Sequence, residues 1–351
     1  MEGLRGIGRA ELEFSPGWNV FSGRNGVGKT TCLEAIHLLH AGKGLRAGRN
    51  VDLIQWGGES ALIRGRISGE GGVETVVVVK SREGTVIRVD GRPVHAASDL
   101  ARRLPLVLIG QEGLELLYGG PEGRRRYLDR IMFHVEQQEF LAAWQAYQLI
   151  LKHRNALLQQ AAPDKELLHW DSELVAMGES LHGFRVAALS RLVEALKGLK
   201  QTLDFLEIQV GYDPGWRGGT LSEAIQSARR VDRGQRYTHV GPHRGDLVIE
   251  MDGHLVKAVL SRGEIKRLTV ALLLAQREIC QGQGGALPLL LLDDLAAELD
   301  CEAFAAVMSV VAGQGGQIVM TSTRFVGEEG IAYPQGARMF HVEHGTVRAM
   351  P

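Results

Sequence analysis

The chain has almost no net charge. Its 40 basic and 41 acidic residues leave −1 over 351 residues, with an isoelectric point near 6.9. That excludes a globally basic nucleic-acid binder, though not a local basic stripe. Aromatic residues are scarce, 6% against 44% hydrophobic, yet the length allows about two domains of ordinary core size. Cysteine is scarce too: Cys32, Cys280 and Cys301 make no C-x-x-C pair, so neither a disulfide framework nor a thiolate metal knuckle is expected. No apolar run reaches the roughly 20 residues that span a bilayer. The N-terminus, with Glu2 and Arg5, lacks a signal-like stretch. A cytoplasmic location without membrane association is the expectation. H-E-x-x-H is absent, and His37 and His40 have no third ligand at suitable spacing.

A glycine-rich loop stands out against this background. Gly23-Arg24-Asn25-Gly26-Val27-Gly28-Lys29-Thr30 fits G-x-x-x-x-G-K-[ST], and Thr31 follows it. A β-rich run, Trp18 to Ser22, precedes the loop. Residues 29–41 place Cys32, Ala35, Ile36 and Leu39 on one helical face. Strand, loop and helix together are the context in which backbone N–H groups converge on a phosphate. Lys29 is then expected at the β- and γ-phosphates of ATP, and the Thr30 hydroxyl on Mg²⁺. Without that context the loop reads as a glycine turn with a chance Lys-Thr.

Far along the chain, the apolar run from Leu287 to Leu292 ends in Asp293-Asp294. Acids at the end of a buried parallel strand fit a magnesium ligand, Asp293, and a residue that orients or deprotonates water, Asp294. Alone they read as solvated turn acids. Ala297-Glu298-Leu299-Asp300 follows, as in a loop that crosses a dimer interface, with Asp300 as its D-loop residue. Ser261-Arg262-Gly263-Glu264 opens a helix. Its bland reading is a capping box. Beside the other motifs it reads as an element that clamps a partner's ATP in trans, because Ser261 lies too close in sequence to Asp293 to share one ATP with it. Gln111, after the strand-like Leu106–Ile109, is a candidate link to Mg²⁺ or a plain loop residue.

The long interval between the two halves predicts an inserted domain. Residues 61–95 read as an antiparallel meander, and 10–15 as a further strand. Phe140, Trp144, Tyr147, Leu151 and Leu158 share one helical stripe. After Pro163, steps of three and four link Leu167, Trp170, Leu174, Met177, Leu181, Phe184 and Ala188. A helix over 166–203 spans about 57 Å, and the two helices are expected to form an antiparallel hairpin. The expected division is a first ATPase half over 1–130, a helical arm over 131–240 and a second ATPase half over 241–351. Basic clusters lie on or near the arm. Arg124, Arg125, Arg126, Lys152 and Arg154 are the candidate DNA contacts, with a solvated mixed-charge face as the alternative.

Together these residues resemble the RecF family of bacterial DNA-repair ATPases over nearly the whole chain. The segments that carry the resemblance are Asn19–Ile36, Gly119–Asp129, Leu151–Asn155, Val240–Arg244, Leu260–Lys266, Leu292–Asp300 and Met339–Gly345. Some positions depart from the family pattern. Glu264 stands where glutamine is usual and puts an acid near the γ-phosphate site. Gln111 is followed by Glu112 without the usual proline, Gly245 replaces an aspartate, and Ile7-Gly8 stands for Phe-Arg. The resemblance implies an α/β fold: an ABC-type P-loop head, a mixed sheet with an antiparallel part, interrupted by a helical arm. It also implies an ATP-dependent homodimer on double-stranded DNA near single-strand gaps. Such a dimer would work with RecO and RecR to load RecA, in gap repair, replication restart and SOS induction, and slow, DNA-stimulated hydrolysis would release it. A non-hydrolysing SMC-like clamp is the alternative. A transporter ATPase subunit is disfavoured, because Thr321-Ser322-Thr323 stands where a switch histidine would be.

Overall fold

The strand before the P-loop, Trp18–Ser22, is flanked on both sides by parallel partners, Ile318–Ser322 and Arg338–Glu343. Leu289–Leu292 pairs in parallel beyond the first, and Leu106–Ile109 beyond that. Thr346–Ala349 closes the other edge antiparallel. Four consecutive leucines suit a strand covered on both faces, and all four are buried. Phe21 stacks on Phe340 with ring centroids 4.9 Å apart, among Leu33, Leu291 and Val319. The structure is a computed structural model that describes residues 1–45, 48–69, 72–205, 207–281, 287–323 and 336–350.

The chain divides into two compact units, Met1–Gly113 with Gln276–Pro351, and Leu114–Ala275. The divisions fall after 113 and 275, where the sequence reading places them after 130 and 240. The helix Pro121–Val135 and the strand Asp246–Met251 therefore count with the helical unit.

The first unit also holds an antiparallel sheet. Its strands run Ile7–Arg9, Glu2–Leu4, Ser60–Gly69, Gly72–Ser81, Thr85–Val89 and Arg92–Pro93 in spatial order. Its inner residues Ala61, Ile63, Val76 and Val78 pack with Leu38 and Leu39 of the P-loop helix, Lys29–Ala41. The strand expected at 10–15 is not formed. The N-terminal pair is Glu2–Leu4 with Ile7–Arg9. Residues 15–19 close instead through the Asn19 side chain, which accepts from Ser15 N–H at 2.7 Å and donates to Ser15 O at 2.9 Å. This local closure replaces a ladder.

In the second unit, Gln137–Gln159 and Asp164–Leu203 pack as the expected helical hairpin. Leu167, Leu174, Leu181 and Ala188 are buried every seventh residue. The other half of the seam differs from the sequence reading. Trp170, Met177 and Phe184 are only partly buried, and the buried positions are Asp171, Gly178 and Arg185. Gly178 has to be small: a Cβ there would lie 2.5 Å from Leu221 and 3.3 Å from the Tyr147 ring. Leu221 opens the helix Leu221–Gln235, which Thr220 and Glu223 start as a capping box. A three-stranded antiparallel sheet, Gln209–Asp213, Asp246–Met251 and His254–Leu255, completes this unit.

Candidate functional site

The P-loop turn needs conformations that side chains disfavour. Gly26 has φ 79° and Gly28 φ 112°. At Gly23, with φ 156°, a Cβ would lie 2.4 Å from the Val342 carbonyl oxygen. Arg24 and Asn25 are exposed, Val27 is half-buried and Thr31 is buried. Lys29 is buried and folds back on its own loop, donating to the carbonyl oxygens of Gly23 at 2.8 Å and Arg24 at 2.9 Å. Burial lowers its pKa, and the charges of Asp294 and Asp293 oppose that shift. The lysine thus occupies the mouth of a loop shaped for anions.

The two halves of the sequence meet at the strand ends. Thr30 Oγ1 lies 3.0 and 3.1 Å from the two carboxylate oxygens of Asp293. Thr321 Oγ1 donates to Asp293 Oδ1 at 2.7 Å and accepts the Asp294 N–H at 2.8 Å. Strand register makes this contact: Leu292 pairs with Met320, so the next residues, Asp293 and Thr321, emerge side by side. Asp294 takes the left-handed conformation, φ 49°. Its pKa is raised, first by burial and also by Asp293 and Glu298, against the pull of Lys29 and a Thr323 hydrogen bond. Asp294 Oδ1 is buried with no hydrogen-bond partner. A buried orphan acceptor at a functional site is a place for water or an ion.

Gln111, the expected link to Mg²⁺, is exposed and donates to Glu298 Oε1 at 3.2 Å rather than to either aspartate. Gly110, by contrast, is close: a Cβ there would lie 3.1 Å from Asp293 Cβ. Asp300 caps the helix Cys301–Gln314, accepting from Ala303 N–H at 2.8 Å. Cys301 beside it is exposed. Cys32 and Cys280 are buried, and burial pushes the Cys32 thiol up to about 12.

In the second unit, Ser261 and Glu264 form the reciprocal cap at the start of the helix Arg262–Ile279. Glu264 N–H donates to Ser261 Oγ at 3.3 Å, and Ser261 N–H donates to Glu264 Oε2 at 2.7 Å. These bonds hold the Glu264 carboxyl below its ordinary pKa. Arg262 and Gly263 are exposed at the same turn.

Two of the five candidate DNA contacts are corrected by their surroundings. Arg154 is fully buried and donates to Asp171 at 2.7 Å, Asp232 at 2.8 Å and Thr238 at 2.7 Å. Arg124 is buried and holds Asp246 with two bonds, at 2.8 and 2.9 Å. Both are structural because desolvated guanidinium groups require carboxylate partners. Arg125 is half-buried and donates to Gly245 O at 2.7 Å. Arg126 and Lys152 remain exposed.

The sequence reading missed three groups. One is Thr321, legible only once register is known. The second is Arg185, which grips Asp129 at 2.8 and 3.0 Å and Pro242 O at 2.6 Å. The third is the pair Tyr147 and His243. His243 Nε2 lies 3.0 Å from Thr238 O and so carries the proton, leaving Nδ1 to accept from Tyr147 Oη at 2.7 Å.

Residues 1–345 match the family described as the RecF/RecN/SMC N terminal domain. A DNA replication and repair protein RecF of Edwardsiella ictaluri is 35% identical over 98% of this chain and 97% of its own length. One from Proteus mirabilis is 34% identical over 99% of this chain and 97% of its own length. A solved structure of the recombination mediator protein RecF with ATP, in the RecFOR pathway, superposes with a TM-score of 0.85. It is 24% identical, over 100% of this chain and 96% of that one. An Smc head bound to the C-terminal winged-helix domain of ScpA gives 0.60 at 15% identity, over 99% and 94% of the two chains. These structural likenesses bear on the fold, an α/β head of the RecF and SMC type.

Proposed function

The chain belongs to the RecF family, and on that premise we propose that it is an ATP-binding, ATP-hydrolysing protein of DNA replication and repair that closes as a homodimer on double-stranded DNA near single-strand gaps. The observation that carries this reading is the meeting of Thr30, Asp293, Thr321 and Asp294, drawn from three distant segments to the foot of the P-loop.

The residues of one lobe perform the binding steps. The N–H groups of Gly26 to Thr30 and the start of the Lys29–Ala41 helix receive the phosphates. Lys29 leaves the Gly23 and Arg24 carbonyls for the phosphate oxygens. Thr30 and Asp293 present hard oxygen ligands close together, which fits Mg²⁺. When bound, that ion neutralises charge on the β- and γ-phosphates. Asp294 orients the attacking water through Oδ1, and its carboxylate is the group placed to accept the proton. Gln111 reaches this group only after releasing Glu298.

Ser261, Arg262, Gly263 and Glu264 act in trans. For a partner's γ-phosphate to reach the turn, the Glu264 carboxylate has to leave the Ser261 N–H. Asp300 is the proposed D-loop residue of the dimer interface. In DNA binding, Arg125, Arg126 and Lys152 are the arm's contributors. The dimer assists RecO and RecR in loading RecA in gap repair, replication restart and SOS induction, and slow, DNA-stimulated hydrolysis ends the cycle. A non-hydrolysing clamp is the second reading, favoured by Glu264 occupying the signature turn.

Light scattering with and without Mg-ATP tests closure. The expected result is a monomer that becomes a dimer only with ATP, and fails to in Lys29→Met and in Ser261→Arg. A monomer under every condition, despite ATP binding, removes the clamp mechanism. Asp294→Asn is expected to keep ATP-driven dimerisation and lower hydrolysis by about 100-fold or more. Unchanged hydrolysis in that variant removes Asp294 from the reaction.

A further inference from the structure

The outer face of the antiparallel sheet in the first unit is unusual. An antiparallel sheet with one free face normally alternates buried apolar with outward polar residues. Here the outward positions form registered rows. Leu62, Val79 and Val86 lie side by side, then Arg64, Val77 and Arg88, then Arg66 and Thr75. All of these but Arg66, with Gly91, shape a groove of about 560 Å³, and Arg66 follows two residues after Arg64 on the same strand face. Val86 is 50% exposed.

The face carries unpaired positive charge. Arg64, Arg66 and Arg88 are exposed, and none has an ion-pair or hydrogen-bond partner among the described residues. The bordering acids do not pair with them. Glu2 pairs with Arg9 at 3.5 Å, and Asp90 accepts the Thr75 N–H at 2.8 Å. Glu74 points inward and holds Arg103. Glu59 and Glu83 lie at the strand ends beyond Ser60 and Ser81.

The spacing suits a repeating anion. Arg64 and Arg66 are about 6.7 Å apart along one strand, and Arg64 and Arg88 about 9.5 Å apart across two strand spacings. The side chains between them are short, so the long arginines stand above a shallow floor. Guanidinium groups bind phosphate with planar, paired hydrogen bonds, and their stems tolerate an apolar bed.

We propose that this sheet face, through Arg64, Arg66 and Arg88, is a surface on which the chain holds the phosphodiester backbone of duplex DNA. The proposal rests on the DNA-binding reading above and locates a contact that the arm residues do not supply. Phosphate contacts of this kind carry affinity without sequence preference.

The test is fluorescence anisotropy of a labelled duplex oligonucleotide with the full chain and Mg-ATP, over a series of salt concentrations. Arg64→Gln, Arg66→Gln and Arg88→Gln are combined in one variant, and Arg126→Gln with Lys152→Gln in a second. Binding of a fluorescent ATP analogue checks that the lobe is folded. The sheet variant is expected to bind ATP normally, to lose duplex affinity at least about 10-fold, and to show a salt slope shallower by roughly 2 to 3. Wild-type affinity and slope in that variant overturn the proposal and leave DNA binding to the arm. A wild-type chain that binds no duplex overturns the DNA-binding reading itself. Equal displacement of the duplex by polyglutamate and by unlabelled duplex, at matched charge, makes this an acidic-protein surface and also overturns the proposal.

Discussion

Both units bury charge, and they treat it differently. In the first, Lys29 rests on two carbonyl oxygens, one hydroxyl contacts both oxygens of Asp293, and Asp294 keeps a buried oxygen without a partner. In the second, Arg154, Arg185 and Arg124 each grip carboxylates directly. The first cluster is incomplete in a way a ligand would complete. The second makes most of its contacts internally and ties helices that are distant in sequence. The unpartnered oxygen at the foot of the P-loop therefore marks the candidate site, whereas in the helical unit the direct ion pairs mark architecture even though Arg154 Nη2 and Arg229 Nε are also left without partners there.

The strongest way to break this contrast is Arg154→Met, which leaves Asp171 and Asp232 without their central cation. A loss of about 3–5 kcal/mol is expected, seen as a lower unfolding midpoint with ATP binding kept in molecules that remain folded. A shift below about 1 kcal/mol would mean that the network does not hold the arm together.

Acid separates the units next. Burial lowers His243 and His134 to about 4, from an ordinary 6.5. Between these values the unfolded chain binds more protons than the folded one. The stability these neutral rings contribute is complete above pH 6.5 and falls as the pH drops toward 4, by about 1.4 kcal/mol per pH unit for each ring. Thermal melts at pH 7 and pH 5 should show the drop, and His243→Gln should lessen it. Equal drops in both proteins would remove His243 as a cause.

The smallest expected effect sharpens the contrast within the first unit. Thr321→Val keeps the shape at the strand end but removes the hydroxyl between Asp293 and Asp294. Hydrolysis is expected to fall about 10-fold, near 1.4 kcal/mol in the barrier, with ATP affinity nearly unchanged. A matching loss of affinity would place Thr321 in binding instead.

The sequence already marked much of this contrast. The P-loop, the leucine strand and the Asp293-Asp294 pair carry their own local context, so motif and periodicity locate them. Heptad spacing also located the arm hairpin. It failed at Asp171 and Arg185, because periodicity favours apolar side chains and cannot show that a polar residue has a buried partner on another helix, and at Gly178, where the close approach of Leu221 and Tyr147 leaves no room for a side chain. For the same reason Arg154 read as a surface cation: Asp171 and Asp232 are distant in sequence, and only the packed helices bring them together. Thr321 was hidden until strand register placed it beside Asp293. The segment 10–15 misled because its residues suit a strand, whereas the N-terminal pair forms earlier, at Glu2–Leu4 with Ile7–Arg9, and the Asn19 side chain closes residues 15–19 locally.

Cys301 gives the chain a practical handle. It is the one exposed thiol of three, and it directly follows Asp300, the proposed interface residue. A maleimide dye should attach there alone, since Cys32 and Cys280 are shielded and thiolates rather than thiols react. Two such labels, one per subunit, would report closure as a distance by energy transfer, in real time and without any change to the nucleotide pocket.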